Sequence, residues 1–149
     1  MNSPSSASSP NSPAPPPSPS AVDVEERVRY SEVDRMGIAH NKNYFEWFEL
    51  GRTEFCRRKG IPYAEIEARG FYLVVAESWC RYRRPLRYDE AFVVRTSLES
   101  ASPRKFVFTY EILGEGGRSE AASGRTVHVV VDVKGAVVSL PQDLLDRLR

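Results

Sequence analysis

The chain has little of what metal centres and disulfide scaffolds require. It holds two cysteines, Cys56 and Cys80, and two histidines, His40 and His128, among 149 residues. One bridge at most is possible, and no CxxC pair exists, which excludes a cysteine zinc cluster. The two thiols fit ordinary buried side chains, and no metal or cofactor is expected. An excess of one charge is also missing. Lys plus Arg number 21 against 20 for Asp plus Glu. That balance excludes a strongly basic nucleic-acid binder and a polyanionic tail protein. No apolar run approaches the ~18 residues of a membrane span. Neither a Walker loop nor a GxGxxG turn is present, so nucleoside triphosphates and dinucleotides are not expected ligands.

The first 20 positions carry no charged side chain at all and contain 8 Ser and 7 Pro. Proline blocks helix and sheet, and there is almost nothing apolar to bury, so a disordered or polyproline II tail is expected. The stretch has neither the basic nor the apolar region of a secretory signal, and it lacks the arginines of an organelle presequence. A cytoplasmic location is therefore expected. Residues 21–149 are expected to form one domain, enough to bury roughly two-thirds of its unfolded surface.

Within that domain the periodicity changes twice. Val24–Tyr30 has the pattern of a short strand, and Ser31–Ala39 that of a loop around Gly37. From about Asn43 to Lys59 the pattern is helical: Tyr44, Trp47, Phe48, Gly51 and Phe55 share one face. Asn43 with Glu46 three residues on has the form of a capping box. Gly60 and Pro62 stop the helix, and Glu54 can pair with Arg57 and Arg58. Gly51 in the apolar stripe costs helix stability, which points to a sheet approaching closely there. The period then becomes two. Strands are expected over 71–82, 92–98 and 106–112, then a hairpin turn at Gly114–Gly117. A long strand follows from Ser119 to Val133, with Val127, Val129, Val131 and Val133 on one face and His128 opposite. Pro141 opens a short helix through Leu144, Leu145 and Leu148. The expected class is α+β, an antiparallel five-stranded sheet curved around one long helix. One helix leaves a sheet face or edge uncovered, which invites self-association.

The chemistry concentrates between Val28 and Arg52. Asp34 is a carboxylate in the loop just before the helix. The amides near His40–Tyr44 are helix-start donors carrying partial positive charge. Such donors can polarise a carbonyl, while a carboxylate attacks it or activates water. A cap or loop hydrogen-bonder is the plainer role for a lone Asp at this place.

The pattern Asp34, Gly37, Asn43, Tyr44, extended by Trp47-Phe48-Glu49 and Gly51-Arg52, resembles the 4-hydroxybenzoyl-CoA thioesterase family of hotdog-fold proteins, particularly its bacterial short acyl-CoA thioesterases. The likeness runs on through Tyr82, Pro85, Asp89, the strand 124–132 and Leu140-Pro141. It implies a hotdog fold, a homodimer or homotetramer with sites at the subunit interface, and hydrolysis of an acyl-CoA thioester. By the same resemblance Asp34 is nucleophile or general base, and the Asn41 N–H polarises the thioester carbonyl. Gly37 lets the loop approach the substrate. His40 is a candidate for proton transfer or orientation, Glu49 the rival carboxylate on the helix, and Tyr44 a hydroxyl near the site. Arg84, Arg87, Arg104 and Lys105 are candidates for the CoA phosphates. Two other readings stand beside this one. A hotdog module can bind an acyl thioester without cleaving it, and a hotdog dehydratase or hydratase would use His40 and Glu49.

Overall fold

A computed structural model describes residues 20–149. The expected Ser/Pro tail therefore lies, but for Ser20, outside the described residues. In chain order the elements are β1 (Val22–Arg27), a 3-10 turn (Tyr30–Glu32), α1 (Lys42–Arg58), α2 (Tyr63–Ala68), β2 (Tyr72–Tyr82), β3 (Ala91–Ala101), β4 (Lys105–Leu113), a single helical turn α3 (Gly114–Gly117), β5 (Ser119–Val131) and α4 (Gln142–Leu148). The five strands form one sheet in the order β1-β3-β4-β5-β2, every pair antiparallel. The long helix α1 lies across one face of it, as the element order predicted.

The α1 stripe is buried as the spacing required: Tyr44, Trp47, Phe48, Gly51 and Phe55, with Asn43 and Cys56 beside them. Two glycines set how close helix and sheet come. A Cβ on Gly51 would stand 2.2 Å from Thr96 Oγ1 and 2.8 Å from Val94 Cγ1; one on Gly124 would stand 2.2 Å from Phe48 Cζ. The Phe48 ring lies against Gly124 and stacks on Tyr110, centroids 4.3 Å apart. Trp47 packs on Phe92 at 4.4 Å and Phe55 edge-on to Phe108 at 5.7 Å. Gly124 thus makes room for the Phe48 ring, and Gly51 for the Thr96 and Val94 side chains, where two Cβ atoms would hold the layers apart. His128 is buried on this same side, bonded through Nε2 to Thr126 Oγ1 at 2.8 Å. Burial, helped by the charge of Arg52, lowers its pKa to about 4.

Several boundaries differ from expectation. β1 begins and ends earlier, because Val28 N–H donates to Glu90 O and residues 30–32 coil into the 3-10 turn. The long last strand stops at Val131, where Asp132 turns the chain by accepting the N–H groups of Lys134 and Ala136. The short helix α2 was not anticipated. It sits between Gly60 and Gly70, both at positive φ, and buries only Ile66. Arg147–Glu65 and Arg69–Asp143 ion pairs tie it to α4.

The capping box is also corrected. The helix starts at Lys42, so Asn43 is already inside it, and Glu46 is exposed. The buried Asn43 amide instead donates to Glu32 O at 2.7 Å and His40 O at 3.0 Å, fastening the preceding loop to the helix. The anticipated pairing of Glu54 with Arg57 and Arg58 is present.

Candidate active site

The loop between the 3-10 turn and α1 is closed on itself. Val33 bridges Ala39, Asp34 N–H donates to Ile38 O at 2.9 Å, and His40 N–H donates to Glu32 O at 2.8 Å. Gly37 takes φ +75°, the left-handed turn that lets Gly37 N–H return to Asp34 O at 3.0 Å. The Asp34 carboxylate organises this turn: Oδ1 accepts Met36 N–H at 2.8 Å and Ile38 N–H at 3.3 Å. Among the described residues nothing donates to Oδ2, and the side chain is exposed. One oxygen is thus anchored and the other free.

A second loop, residues 83–90, holds the first in place. Ala39 N–H donates to Leu86 O at 2.8 Å and Tyr88 N–H to Gly37 O at 3.1 Å. Glu90 is the hub of this second loop. It accepts Arg84 Nη2 at 3.1 Å, Arg87 N–H at 3.1 Å and Glu115 N–H at 2.9 Å. Partial burial pulls the Glu90 pKa up, but these donors outweigh it and hold it below the usual carboxylate value. From the other side Glu32 accepts the Trp47 indole N–H at 3.0 Å and Arg29 N–H at 2.8 Å. Both loops are therefore pinned by half-buried carboxylates.

Where the two loops meet the start of α1 and the end of β2 there is a cleft of about 360 Å³, lined by Ile38, Ala39, Asn41, Tyr44, Tyr82, Arg83, Arg84 and Pro85. Asn41 is the N-cap of α1. Its C=O accepts Tyr44 N–H at 3.2 Å and the Tyr82 hydroxyl at 3.4 Å. Its own N–H donates to nothing among the described residues, so a helix-start donor remains free in the cleft. The neighbouring Lys42 N–H is taken by His40 Nδ1 at 3.3 Å. His40 thus caps the helix through Nδ1, as an acceptor, and leaves Nε2 on the exposed edge. Tyr44 is buried, edge-on to Tyr82 at 4.9 Å. Burial first, then Cys80 and Tyr82 nearby, push its hydroxyl up to about 12; burial does the same for Tyr82, up to about 12. Both phenols stay neutral donors at neutral pH.

Of the expected site residues, Asn41, Tyr44 and Arg84 line the cleft; Asp34, Gly37, His40 and Arg87 lie on the two adjoining loops, outside its lining. Arg84 is committed there to Glu90 and Ser119. Glu49 stands on an exposed part of α1, outside the residues that line the cleft. It forms no ion pair among the described residues. Arg104 and Lys105 sit at the other end of the sheet. Lys105 pairs with Val129, whereas Tyr82 pairs with Ala122, a separation of roughly 23 Å along β5. Tyr82 and Arg83 line the cleft without having been singled out as site residues. Arg83 stands in a stretch that also holds Arg81, Arg84 and Arg87. Its place in the cleft wall depends on where β2 ends, which a cluster of like residues does not mark.

Residues 28–148 match the family model described as the thioesterase-like superfamily. The chain belongs to that superfamily. A protein of Aquifex aeolicus (strain VF5), provisionally named an esterase, is 38% identical over 123 residues, 83% of this chain and 94% of its own length. YneP of Bacillus subtilis (strain 168), provisionally named an acyl-CoA thioesterase, is 35% identical over 108 residues, 72% of this chain and 78% of its own. The acyl-acyl carrier protein thioesterase ATL3 of Arabidopsis thaliana is 27% identical over 122 residues, 82% of this chain and 64% of its own. The solved DHNA-CoA thioesterase of Staphylococcus aureus superposes with a TM-score of 0.76 at 29% identity, over 80% of each chain. The thioesterase-like superfamily thus shares with this chain both its fold and the stretch that carries the cleft. No helix among the described residues is long and apolar enough to cross a membrane.

Proposed function

We propose that this protein hydrolyses an acyl thioester, of CoA in the first instance, to a carboxylic acid and a free thiol. Asp34 and Asn41 carry the reading: a carboxylate with one anchored and one free oxygen, beside a cleft into which a helix-start N–H is left unbonded. The thioester carbonyl accepts the Asn41 N–H, and the positive end of α1 favours the oxyanion that develops on attack. Asp34 Oδ2 either activates water or adds to the carbonyl itself. The Tyr82 hydroxyl holds the Asn41 carbonyl, and Tyr44 walls the cleft behind it. The relatives' names support thioester chemistry, and they include both CoA and acyl carrier protein as the thiol handle.

The site is completed, in this proposal, by a second copy. β2 is an edge strand whose Val74, Val75, Trp79 and Tyr82 are exposed, the kind of edge that self-association covers. Arg104 and Lys105, remote from the cleft in one chain, then belong to a homodimer or homotetramer rather than to the isolated subunit.

A non-catalytic binding module is the second reading, favoured by the structural work that Asp34 does in its own turn. Thiol release from a panel of short aliphatic, long aliphatic and aromatic acyl-CoA substrates separates the two. The hydrolase reading predicts stoichiometric free thiol and carboxylic acid from at least one class. It also predicts retention of most of that activity by Glu49→Gln. Intact thioester after long incubation with bound protein establishes the binder, and an unsaturated product in place of free thiol a dehydratase.

A further inference from the structure

The loop that carries Asp34 hangs from the residue two places before it. Glu32 accepts donors at both its ends. Its carbonyl takes His40 N–H at 2.8 Å and the Asn43 amide at 2.7 Å. Its carboxylate takes Arg29 N–H on Oε1 at 2.8 Å and the Trp47 indole N–H on Oε2 at 3.0 Å. The residue is half-buried and forms no ion pair among the described residues. A negative charge is thus held here by neutral N–H groups, which is worth keeping only if the bonds themselves matter. With both oxygens engaged, Glu32 differs from Asp34, whose Oδ2 is free. It is placed to hold rather than to react.

The indole at the far end of this bond stands behind the cleft. Trp47 is buried, packs on Phe92 and lies 4.8 Å from the Tyr44 ring, and Tyr44 lines the cleft. The Glu32–Trp47 bond therefore ties the 3-10 turn to the second turn of α1, one turn beyond the free N–H of Asn41. We infer that the Glu32 carboxylate is a positioning residue for thioester hydrolysis: through the Trp47 indole it fixes the Asp34 loop against α1 and so sets Asp34 relative to the Asn41 N–H. The inference rests on the thioesterase reading above and adds a residue that touches no substrate. Hydrogen-bond chemistry says why a carboxylate stands there. Both groups that face its oxygens are donors. A carboxylate offers an acceptor to each, whereas an amide of the same shape offers one acceptor and turns its NH2 on the other donor. The buried indole N–H or the Arg29 N–H is then left unpaired, and the loop must shift to relieve it. A shift of about 1 Å between reacting groups costs up to about 100-fold in rate.

The test reads kcat and KM for thiol release from an acyl-CoA panel, with thermal unfolding followed on the same samples. Glu32→Gln, equal in size and shape, is expected to lower kcat about tenfold or more while KM changes by less than about twofold. Trp47→Phe keeps a ring and removes the indole N–H, and the same split is expected. Combined in one chain, the two are expected to cost no more than Trp47→Phe alone, because the Gln oxygen then turns to Arg29 N–H and its NH2 opposes no donor. Losses in kcat that multiply in the double variant overturn the inference, since the carboxylate then does not act through the indole. So does an unchanged kcat in folded Glu32→Gln. If Glu32→Gln does not fold, Trp47→Phe decides: a lower kcat at unchanged KM upholds the inference, and an unchanged kcat overturns it. If the wild type releases no thiol, the thioesterase reading fails on its own. Amide hydrogen exchange then decides the positioning. Asp34 and His40 N–H groups that exchange about tenfold faster or more in Glu32→Gln, with the β4 amides unchanged, uphold it. Equal exchange overturns it.

Discussion

Asp34 and Asn43 show how one short segment uses polar side chains for two purposes. Asn43 contributes no chemistry. Its buried amide clamps the carbonyls of Glu32 and His40, so it sets where the Asp34 loop stands relative to the free Asn41 N–H. Asn43→Leu removes both bonds and leaves each carbonyl with a backbone donor only. A stability loss of about 1–3 kcal/mol is expected in denaturant titration, with a fall in kcat that exceeds the change in KM because the two reacting groups lose register. An unchanged kcat in a stably folded variant contradicts the clamp. Asp34, Gly37 and Tyr44 were legible in the sequence because the loop-to-helix pattern marks them. The role of Asn43 was not. Its spacing to Glu46 imitates a capping box, and only the tertiary course of the Glu32 carbonyl shows what the amide bonds. Tyr82 and Arg83 were hidden for a similar reason, since they reach the cleft through the pairing of β2 with β5.

At the scale of elements, the helix–sheet contact is set by absence of side chain. Gly51 faces Thr96 and Val94, and Gly124 faces Phe48. Alanine at position 51 improves helix propensity by about 1 kcal/mol, yet its Cβ meets β-branched side chains on a central strand that cannot withdraw. Overpacking of this kind costs about 1–3 kcal/mol, so Gly51→Ala is expected to be net destabilising, read as a lower denaturation midpoint at unchanged m-value. A raised midpoint contradicts the close approach. The tight contact here was visible from the sequence as a glycine in an otherwise apolar, aromatic stripe. The strand order and the helix α2 were not. Alternation reveals a strand without naming its neighbour, and α2 buries a single apolar residue, too few to leave a period.

At the scale of the whole molecule, the core contains a histidine that folding keeps neutral. Buried beneath α1, His128 has its pKa lowered to about 4 from the ordinary 6.5. Between those values the unfolded chain binds a proton that the folded chain does not, so stability rises with pH there. The contribution is whole above pH 6.5 and is lost progressively as pH falls toward 4, on the order of 3 kcal/mol in all. Denaturation of wild type and His128→Gln at pH 4.5 and 7.5 isolates it. The wild type is expected to lose more stability on acidification than the variant, and equal losses contradict a neutral buried imidazole.

The central claim remains that Asp34 turns over a thioester held by the Asn41 N–H. The direct measurement is free-thiol release at saturating acyl-CoA by wild type and by Asp34→Asn, with thermal unfolding and acyl-CoA binding followed on the same samples. Asparagine keeps an oxygen for the Met36 and Ile38 N–H groups, so the turn, the unfolding temperature and substrate affinity are expected to stay close to wild type. Turnover is expected to fall by about 100-fold or more. Full turnover in a normally folded Asp34→Asn variant would contradict the claim and return Asp34 to its turn as a purely structural residue.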